Sequence, residues 1–321
     1  MQFGMLLPHF GQYATPERLI EGSQRLEQMG FDSVWVRDHL LWKPHEMEGQ
    51  DRRFIEPFIT LAAIAGATQR IKLGTAVLIP IRWPLKVAQN FASLSWIAQR
   101  EVIAGVGMGS NPAELGATGF TLEERELVYE ETVQICRQVW SEDDVTWHGE
   151  KFQVENVTIQ PKPSTPITVW YGGTSRASVR RAIKLCDGWL PGRLPMATLD
   201  NRLELLRQLN EEQGKHVKAG VIPVVVIDKD RDKARQGFDI QALATSSAGS
   251  KTWIKPASGE FRTIEDLEGL LIAGNPDEVV GEVQKFVDRG IEHFIFDLRL
   301  QFDRYEQAVE LIAEKVLPHL R

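Results

Sequence analysis

An alternation restricts this chain more than any other feature: short apolar runs and amphipathic helical stretches follow one another along nearly its whole length. Gln2 to Leu7 reads as a strand. A helix follows from Thr15 or Pro16 to Met29, closed by Gly30. Ser33 to Arg37 is a second strand, Pro57 to Gln69 a helix, and Ile71 to Ile79 a third strand. Pro84 then opens a helix with Val87, Phe91, Leu94 and Ala98 on one side. Glu101 to Val106, Ile167 to Tyr171, Gly188 to Leu190, Ala219 to Ile227 and Ile291 to Phe296 complete eight strands, each followed by a helical segment. Strands joined this way form a parallel sheet whose faces must be covered by the helices between them.

No composition break marks a linker within the 321 residues, so the expectation is one (β/α)8 TIM-barrel domain spanning 1–321. The framework takes about 250 residues. The rest falls in insertions after strands four and seven, near residues 141–164 and 240–270. The first carries a hairpin from Val145 to Ile159 around His148-Gly149; the second is a polar excursion from Ser246 to Glu265 with Pro256 and Gly259. Asn275-Pro276-Asp277-Glu278 begins the next helix with an Asn cap, a first-turn proline and a capping-box glutamate. A doubly wound open sheet is the competing architecture, but Pro8-His9-Phe10-Gly11 stands where its G-x-G-x-x-G turn belongs.

In a barrel, residues at the carboxyl ends of the strands surround the active-site mouth. Those ends carry Pro8-His9, Arg37-Asp38-His39, Ala76-Val77, Gly107-Met108-Gly109, Tyr171-Gly172-Gly173, Pro191-Gly192-Arg193 and Asp297. His39 is the candidate acid/base, because an imidazole exchanges protons near neutral pH and a carboxylate such as Asp38 can hold its tautomer. Neighbouring strand residues point to opposite faces, so Asp38 need not touch the ring; it can equally cap the loop. His9 and His45 are secondary candidates. Trp42, Trp83, Met108, Trp170 and Tyr171 can wall a slot for a planar ring, with barrel-to-helix packing favoured for Trp170 and Trp83.

Val169-Trp170-Tyr171-Gly172-Gly173-Thr174-Ser175-Arg176 runs from a strand through a glycine turn into a helix patterned by Val179, Ala182, Ile183 and Cys186. Free amides at that N-terminus, a Thr174 or Ser175 cap and the charge of Arg176 suit a phosphate, although an ordinary strand-to-helix turn reads the same way. Asn111, Pro112 and Glu114 form a cap and capping-box set after Gly107 and Gly109.

Several classes of function are excluded by pattern. A net charge of −7 argues against nonspecific nucleic-acid binding. Apolar runs fall short of the roughly 20 residues of a membrane span, no signal peptide opens the chain, and the cytoplasm is the expected compartment. Cys136 and Cys186 each sit in a helical pattern and read as buried hydrophobes. The histidines and cysteines lack metal-ligand spacing, and there is no G-x-S-x-G elbow. A small-molecule site for a flat, phosphorylated cofactor with one acid/base histidine remains. A noncatalytic cofactor- or ligand-binding barrel is the reading from another class.

These stretches together resemble the luciferase-like family of flavin- and deazaflavin-dependent oxidoreductases. The resemblance is carried by Gly30-Phe31-Asp32-Ser33-Val34-Trp35 leading to Asp38-His39, and by Ile71-Lys72-Leu73-Gly74-Thr75-Ala76-Val77. Val106-Gly107-Met108-Gly109 through Glu114 to Gly119, Pro161-Lys162-Pro163, Gly172-Gly173-Thr174-Ser175 and Asp187-Gly188-Trp189-Leu190-Pro191 complete it. The resemblance implies FMN or the deazaflavin F420 bound at the strand ends, and a homodimer. It also implies a non-proline cis peptide at Ala76-Val77 behind the cofactor ring, with the Gly172–Ser175 turn on its phosphate. Asp38-His39 followed by Trp42 is similar to F420-dependent dehydrogenases, which implies hydride exchange between F420 and a small organic substrate. An FMN monooxygenase using O2 is the alternative. The glutamate that sugar-phosphate dehydrogenases carry after the fourth-strand turn is absent, and Ser110 stands there. The loop of residues 40–54 and the excursion of residues 246–265 are the expected lids over the substrate.

Overall fold

The computed structural model describes residues 1–42, 50–245 and 250–321. His45 and Gly49 of the first expected lid, and residues 246–249 of the second, lie outside the described residues. In chain order the strands are β1 (Gln2–Leu6), β2 (Ser33–Val36), β3 (Lys72–Thr75), β4 (Val102–Val106), β5 (Val145–His148) and β6 (Gln153–Val157). They continue as β7 (Thr168–Gly172), β8 (Gly188–Leu190), β9 (Lys218–Val221), β10 (Val224–Ile227), β11 (Leu271–Gly274) and β12 (His293–Asp297). β1, β2, β3, β4, β7, β8, β9 and β12 pair in that order, and β12 pairs back onto β1 with Gln2 opposite His293. All of these pairings are parallel, so the sheet is a closed eight-stranded barrel.

The helices that cover it are α1 (Gly22–Gln28), α2 (Pro57–Ala67), α3 (Pro84–Ala98), α4 (Pro112–Ala117), α5 (Arg125–Ser141) and α6 (Arg176–Leu185). After these come α7 (Met196–Gln213), α8 (Arg231–Ala234), α9 (Ile240–Thr245), α10 (Pro276–Asp288), α11 (Tyr305–Lys315) and α12 (Leu317–Leu320). The first helix is irregular: Glu17–Glu21 takes a π-helical turn before α1 begins. Inside the barrel Leu6, Trp35, Ile103, Trp170, Leu190, Ile222 and Ile295 form one buried cluster. The indoles fit because Gly74 and Gly188 leave the opposing strands bare; a Cβ at either would run into Trp35 or Trp170. Trp170 therefore packs inside the barrel, not between barrel and helices as expected.

Two strand assignments change. Residues 219–227 do not form one strand: the ladder breaks at Ile222-Pro223 between β9 and β10. Proline has no N–H to give the ladder, and the Ile222 amide turns instead to the Gly192 carbonyl at 2.8 Å. β11, unseen in the sequence, pairs parallel with β10 and extends the sheet beyond the barrel. Four apolar residues wedged between the excursion and the Asn275 cap are too short a run to show a period.

The first insertion forms the expected antiparallel hairpin, β5 against β6. Its turn wraps the buried Glu131 carboxylate on α5, which accepts from the amides of Glu150 at 2.8 Å, Lys151 at 3.1 Å and Phe152 at 2.9 Å. The Asn275 capping box is complete, with reciprocal 3.0 Å bonds to Glu278.

Candidate active site

The carboxyl ends of β2, β3, β4 and β7 converge on a bulge. The peptide between Ala76 and Val77 is cis, at the position implied by the resemblance. Val77 is turned toward β4 and β7, which offer glycines to it. A Cβ on Gly107 would lie 2.7 Å from Val77 Cγ2, and one on Gly172 2.7 Å from Val77 Cγ1. Larger residues there would displace the bulge, so these glycines let backbone and bulge form one close-fitting wall. Met108, beside Gly107, is partly buried on the same rim.

His39 follows β2, partly exposed at the mouth. Its ring lies 5.1 Å from that of the buried Trp42 and 5.4 Å from that of Phe54. The carboxylate that meets it is not Asp38. Glu114, from α4, places Oε2 3.3 Å from His39 Nδ1, while its Oε1 accepts from the amides of Leu40 at 2.6 Å and Leu41 at 3.1 Å. Burial alone would raise the Glu114 pKa; the His39 ring and the two amides outweigh it and hold the group below the ordinary carboxylate value. The capping box expected at Asn111 is consequently half made. Asn111 Oδ1 accepts from Ala113 N at 3.1 Å, but the Glu114 carboxylate reaches across to the loop after β2 instead.

Asp38 faces the other way and is buried. Its carboxylate takes Arg82 in a forked pair, Nη1 at 2.6 Å and Nη2 at 2.9 Å, and accepts from Ile79 N at 3.0 Å. It thus ties β2 to the chain after the bulge, with Glu56 adding a second carboxylate to Arg82 at 3.1 Å. His9 is fully buried, its Nε2 within 2.9 Å of the Arg37 amide and its Nδ1 3.2 Å from the Leu7 carbonyl. Burial, reinforced by the Arg37 charge, pushes its pKa down to about 3, so it stays neutral and serves as a structural strut. The Arg37 guanidinium lies over Phe10 at 3.8 Å and over Trp42 at 4.9 Å, fixing the aromatic wall beside His39.

After β7, Ser175 caps α6 by accepting from Ser178 N at 3.1 Å. Ser178 Oγ and Trp189 Nε1 bind the Gly173 carbonyl at 2.7 and 2.9 Å, which aligns the turn. Arg176 and Arg202 both donate to Asn201 Oδ1, at 3.0 and 2.6 Å, and Arg202 Nε also reaches the Thr174 carbonyl at 3.3 Å. Arg202 is nearly buried and its bonded acceptors are neutral. Burial and the neighbouring Arg176 both lower its pKa. Two guanidiniums and the open amides of a helix N-terminus thus meet at one turn, an arrangement that suits a phosphate. Tyr171 adds only backbone here, since its ring is packed 4.8 Å from that of Tyr129 on the helix side of the barrel. Trp83 is half exposed and packs edge-on against Phe152 of the hairpin.

A cavity of about 480 Å³ opens beyond Phe10, lined among others by Tyr13, Asp51, Asp239, Arg299 and Phe302. Arg299 is already bonded to Asp297, Nε to Oδ2 at 2.6 Å. Of the second expected lid, Trp253 is buried and Ile254 N donates to Thr198 Oγ1 at 2.7 Å, so this part of the excursion is docked on α7 beside the Arg202 turn.

The residues missed in the sequence, Glu114 as a partner of His39, Arg82 and Arg202, are all long charged side chains acting on another element. Only Arg202 left a signal: it occupies the inward stripe of α7 with Leu199, Leu203 and Leu206.

The profile described as "Luciferase-like monooxygenase" matches residues 1–293. The F420-dependent glucose-6-phosphate dehydrogenase of Nakamurella multipartita is 28% identical over 95% of this chain and 93% of its own. Among solved structures, an F420-dependent secondary alcohol dehydrogenase carrying an F420–acetone adduct superposes with a TM-score of 0.82 at 22% identity, covering 100% of this chain and 99% of that one. A monooxygenase of Streptomyces bottropensis superposes with a TM-score of 0.78 at 24% identity over 100% of both chains. Among the described residues no helix is long and apolar enough to cross a membrane.

Proposed function

This chain belongs to the luciferase-like monooxygenase family of flavin- and deazaflavin-dependent oxidoreductases, and from that premise we propose that it exchanges hydride between F420 and a small, uncharged organic substrate. The observation that carries the reading is that two built groups of residues share the carboxyl end of the barrel. One is a carboxylate-held imidazole with Trp42; the other is the glycine-walled bulge with the Arg176–Arg202 turn. When bound, the deazaflavin supplies the hydride chemistry. Val77, Gly107, Met108, Gly109 and Gly172 would back its ring, while Gly173, Thr174, Ser175, Arg176 and Arg202 would hold its phosphate.

His39 then moves the proton that accompanies the hydride, and Trp42 keeps that ring dry and in place. Asp38 acts at one remove, by anchoring Arg82 and the backbone after the bulge. F420 is preferred to FMN because the 28%-identical relative, covered almost end to end, is named for it. An uncharged substrate fits the cavity beyond Phe10. Its Arg299 is spent on Asp297 and its Asp51 is forked onto Arg53, while Asp239 and Asp303 add negative charge against a phosphate ester. A second copy of the chain would cover the apolar outer face of α2, making a homodimer.

Equilibrium titration of the cofactor-free protein with F420 and with FMN, followed by absorbance, tests the assignment. F420 binding at least tenfold tighter supports it. Preferential FMN binding overturns it and leaves O2-dependent oxygenation as the reaction to assay. With F420 bound, propan-2-ol should reduce it faster than glucose 6-phosphate; the reverse order would refute an uncharged substrate.

A further inference from the structure

We infer that Glu114 is the positioning residue of this site: its carboxylate holds the neutral His39 ring as the Nδ1–H tautomer and leaves the Nε2 lone pair as the face that takes and returns the proton. The inference rests on the acid/base reading of His39 and adds to it the residue that makes the ring competent.

Glu114 is 1% exposed and its two oxygens have separate duties. Oε1 is committed to the amides of Leu40 and Leu41, at 2.6 and 3.1 Å; Oε2 faces His39 Nδ1 at 3.3 Å. An ionised carboxylate only accepts, so the imidazole nitrogen bonded to it must carry the hydrogen. Among the described residues, the other charges near the ring are engaged elsewhere. Asp38 is forked onto Arg82, the Arg37 guanidinium lies over Phe10 and Trp42, and His9 is neutral between backbone groups. The rings of Trp42 and Phe54 close the sides. The same carboxylate therefore sets the tautomer and, through Leu40 and Leu41, the path of the chain toward Trp42.

Glu114→Gln separates the two duties. A glutamine has one acceptor and one donor end, and the two amides of Leu40 and Leu41 claim the acceptor. Its NH2 group is left facing Nδ1, to which it donates, so the variant should invert His39 to the Nε2–H tautomer with the local fold kept. A flipped glutamine would set its NH2 against two backbone donors in a buried site. A role confined to packing would leave the tautomer unchanged.

Selective 15N-histidine labelling of the full chain reads this directly, with His39 assigned by the signal lost in His39→Gln. In the wild type at a pH where the ring is neutral, Nδ1 should resonate as a pyrrole-type and Nε2 as a pyridine-type nitrogen. In Glu114→Gln the two should exchange. A wild-type ring protonated on Nε2 overturns the inference without any variant, which covers a Glu114→Gln protein that fails to fold. An unchanged tautomer in a folded Glu114→Gln overturns it as well. The same variant should retain F420 binding and lose at least about 100-fold in F420 reduction by propan-2-ol. Inversion of the tautomer with turnover undiminished would uphold the positioning role and sink the acid/base role of His39, so the two fail separately.

Discussion

His39 and the glycines around Val77 make opposite demands on a substitution. His39→Ala removes a group that meets no cofactor wall, so F420 affinity should stay within twofold while turnover falls by about 10²–10⁴; stopped-flow reduction and a binding titration measure both on one preparation. Gly172→Ala forces a Cβ to within 2.7 Å of Val77 Cγ1. It should cost about 1–3 kcal/mol by denaturant unfolding and weaken F420 binding along with it; unchanged affinity would remove the glycine wall from the cofactor site. His39 was legible in the sequence because a titratable ring after a strand end needs no partner to be noticed. Glu114 was visible as a residue but misassigned as a helix cap. Local spacing favoured Asn111, and the decision went to two amides and an imidazole 73 to 75 residues away.

Some elements whose ends are specified by neighbouring residues read correctly. The Asn275-Pro276-Asp277-Glu278 start of α10 is one, since every bond of a capping box spans only three residues. Asn275→Ala should cost about 1 kcal/mol in global stability. The hairpin of β5 and β6 was legible as two runs around a turn, but what pins it was not. Glu131→Gln replaces a buried carboxylate that accepts from three turn amides, and should destabilise the protein by about 2–3 kcal/mol with faster hydrogen exchange at Glu150, Lys151 and Phe152. Exchange unchanged at those amides would refute the anchor. The break between β9 and β10 had its cause in plain view at Pro223, whereas β11 is a strand only because β10 offers it an edge.

For the molecule as a whole, two buried histidines set an acid limit. His9, and His293 bonded to Ser33 Oγ at 2.7 Å, are each pushed down to about 3, by burial first and then by Arg37 in one case and Lys72 and Lys218 in the other. The unfolded chain takes up these protons near pH 6.5 and the folded one does not, so stability is lost as pH falls from about 6.5 toward 3. Each histidine should contribute a loss of about 2 kcal/mol by pH 5; urea midpoints measured from pH 7 to 5 should fall, and should fall less in a folded His293→Gln variant. The outer surface supplies a second expectation. α2 exposes Ile59, Ala62, Ala63 and Gly66 along one stripe, and α3 beside it exposes Trp96 and Ile97. A homodimer through this face should appear in sedimentation and dissociate in Ile59→Glu; a monomeric wild type would refute it.

The sequence by itself determined the closed barrel, its two insertions, the mouth-facing strand ends and the start of a helix after the Gly172-Gly173 turn. Each depends on periodicity, turn chemistry or contacts a few residues apart. The tertiary structure alone decided which carboxylate faces His39, which guanidiniums meet at the Thr174 turn, that Tyr171 turns away from the mouth, and that β11 joins the sheet. Long side chains choose partners by proximity across elements and by the desolvation of unpaired charge, and neither quantity exists until the barrel has closed.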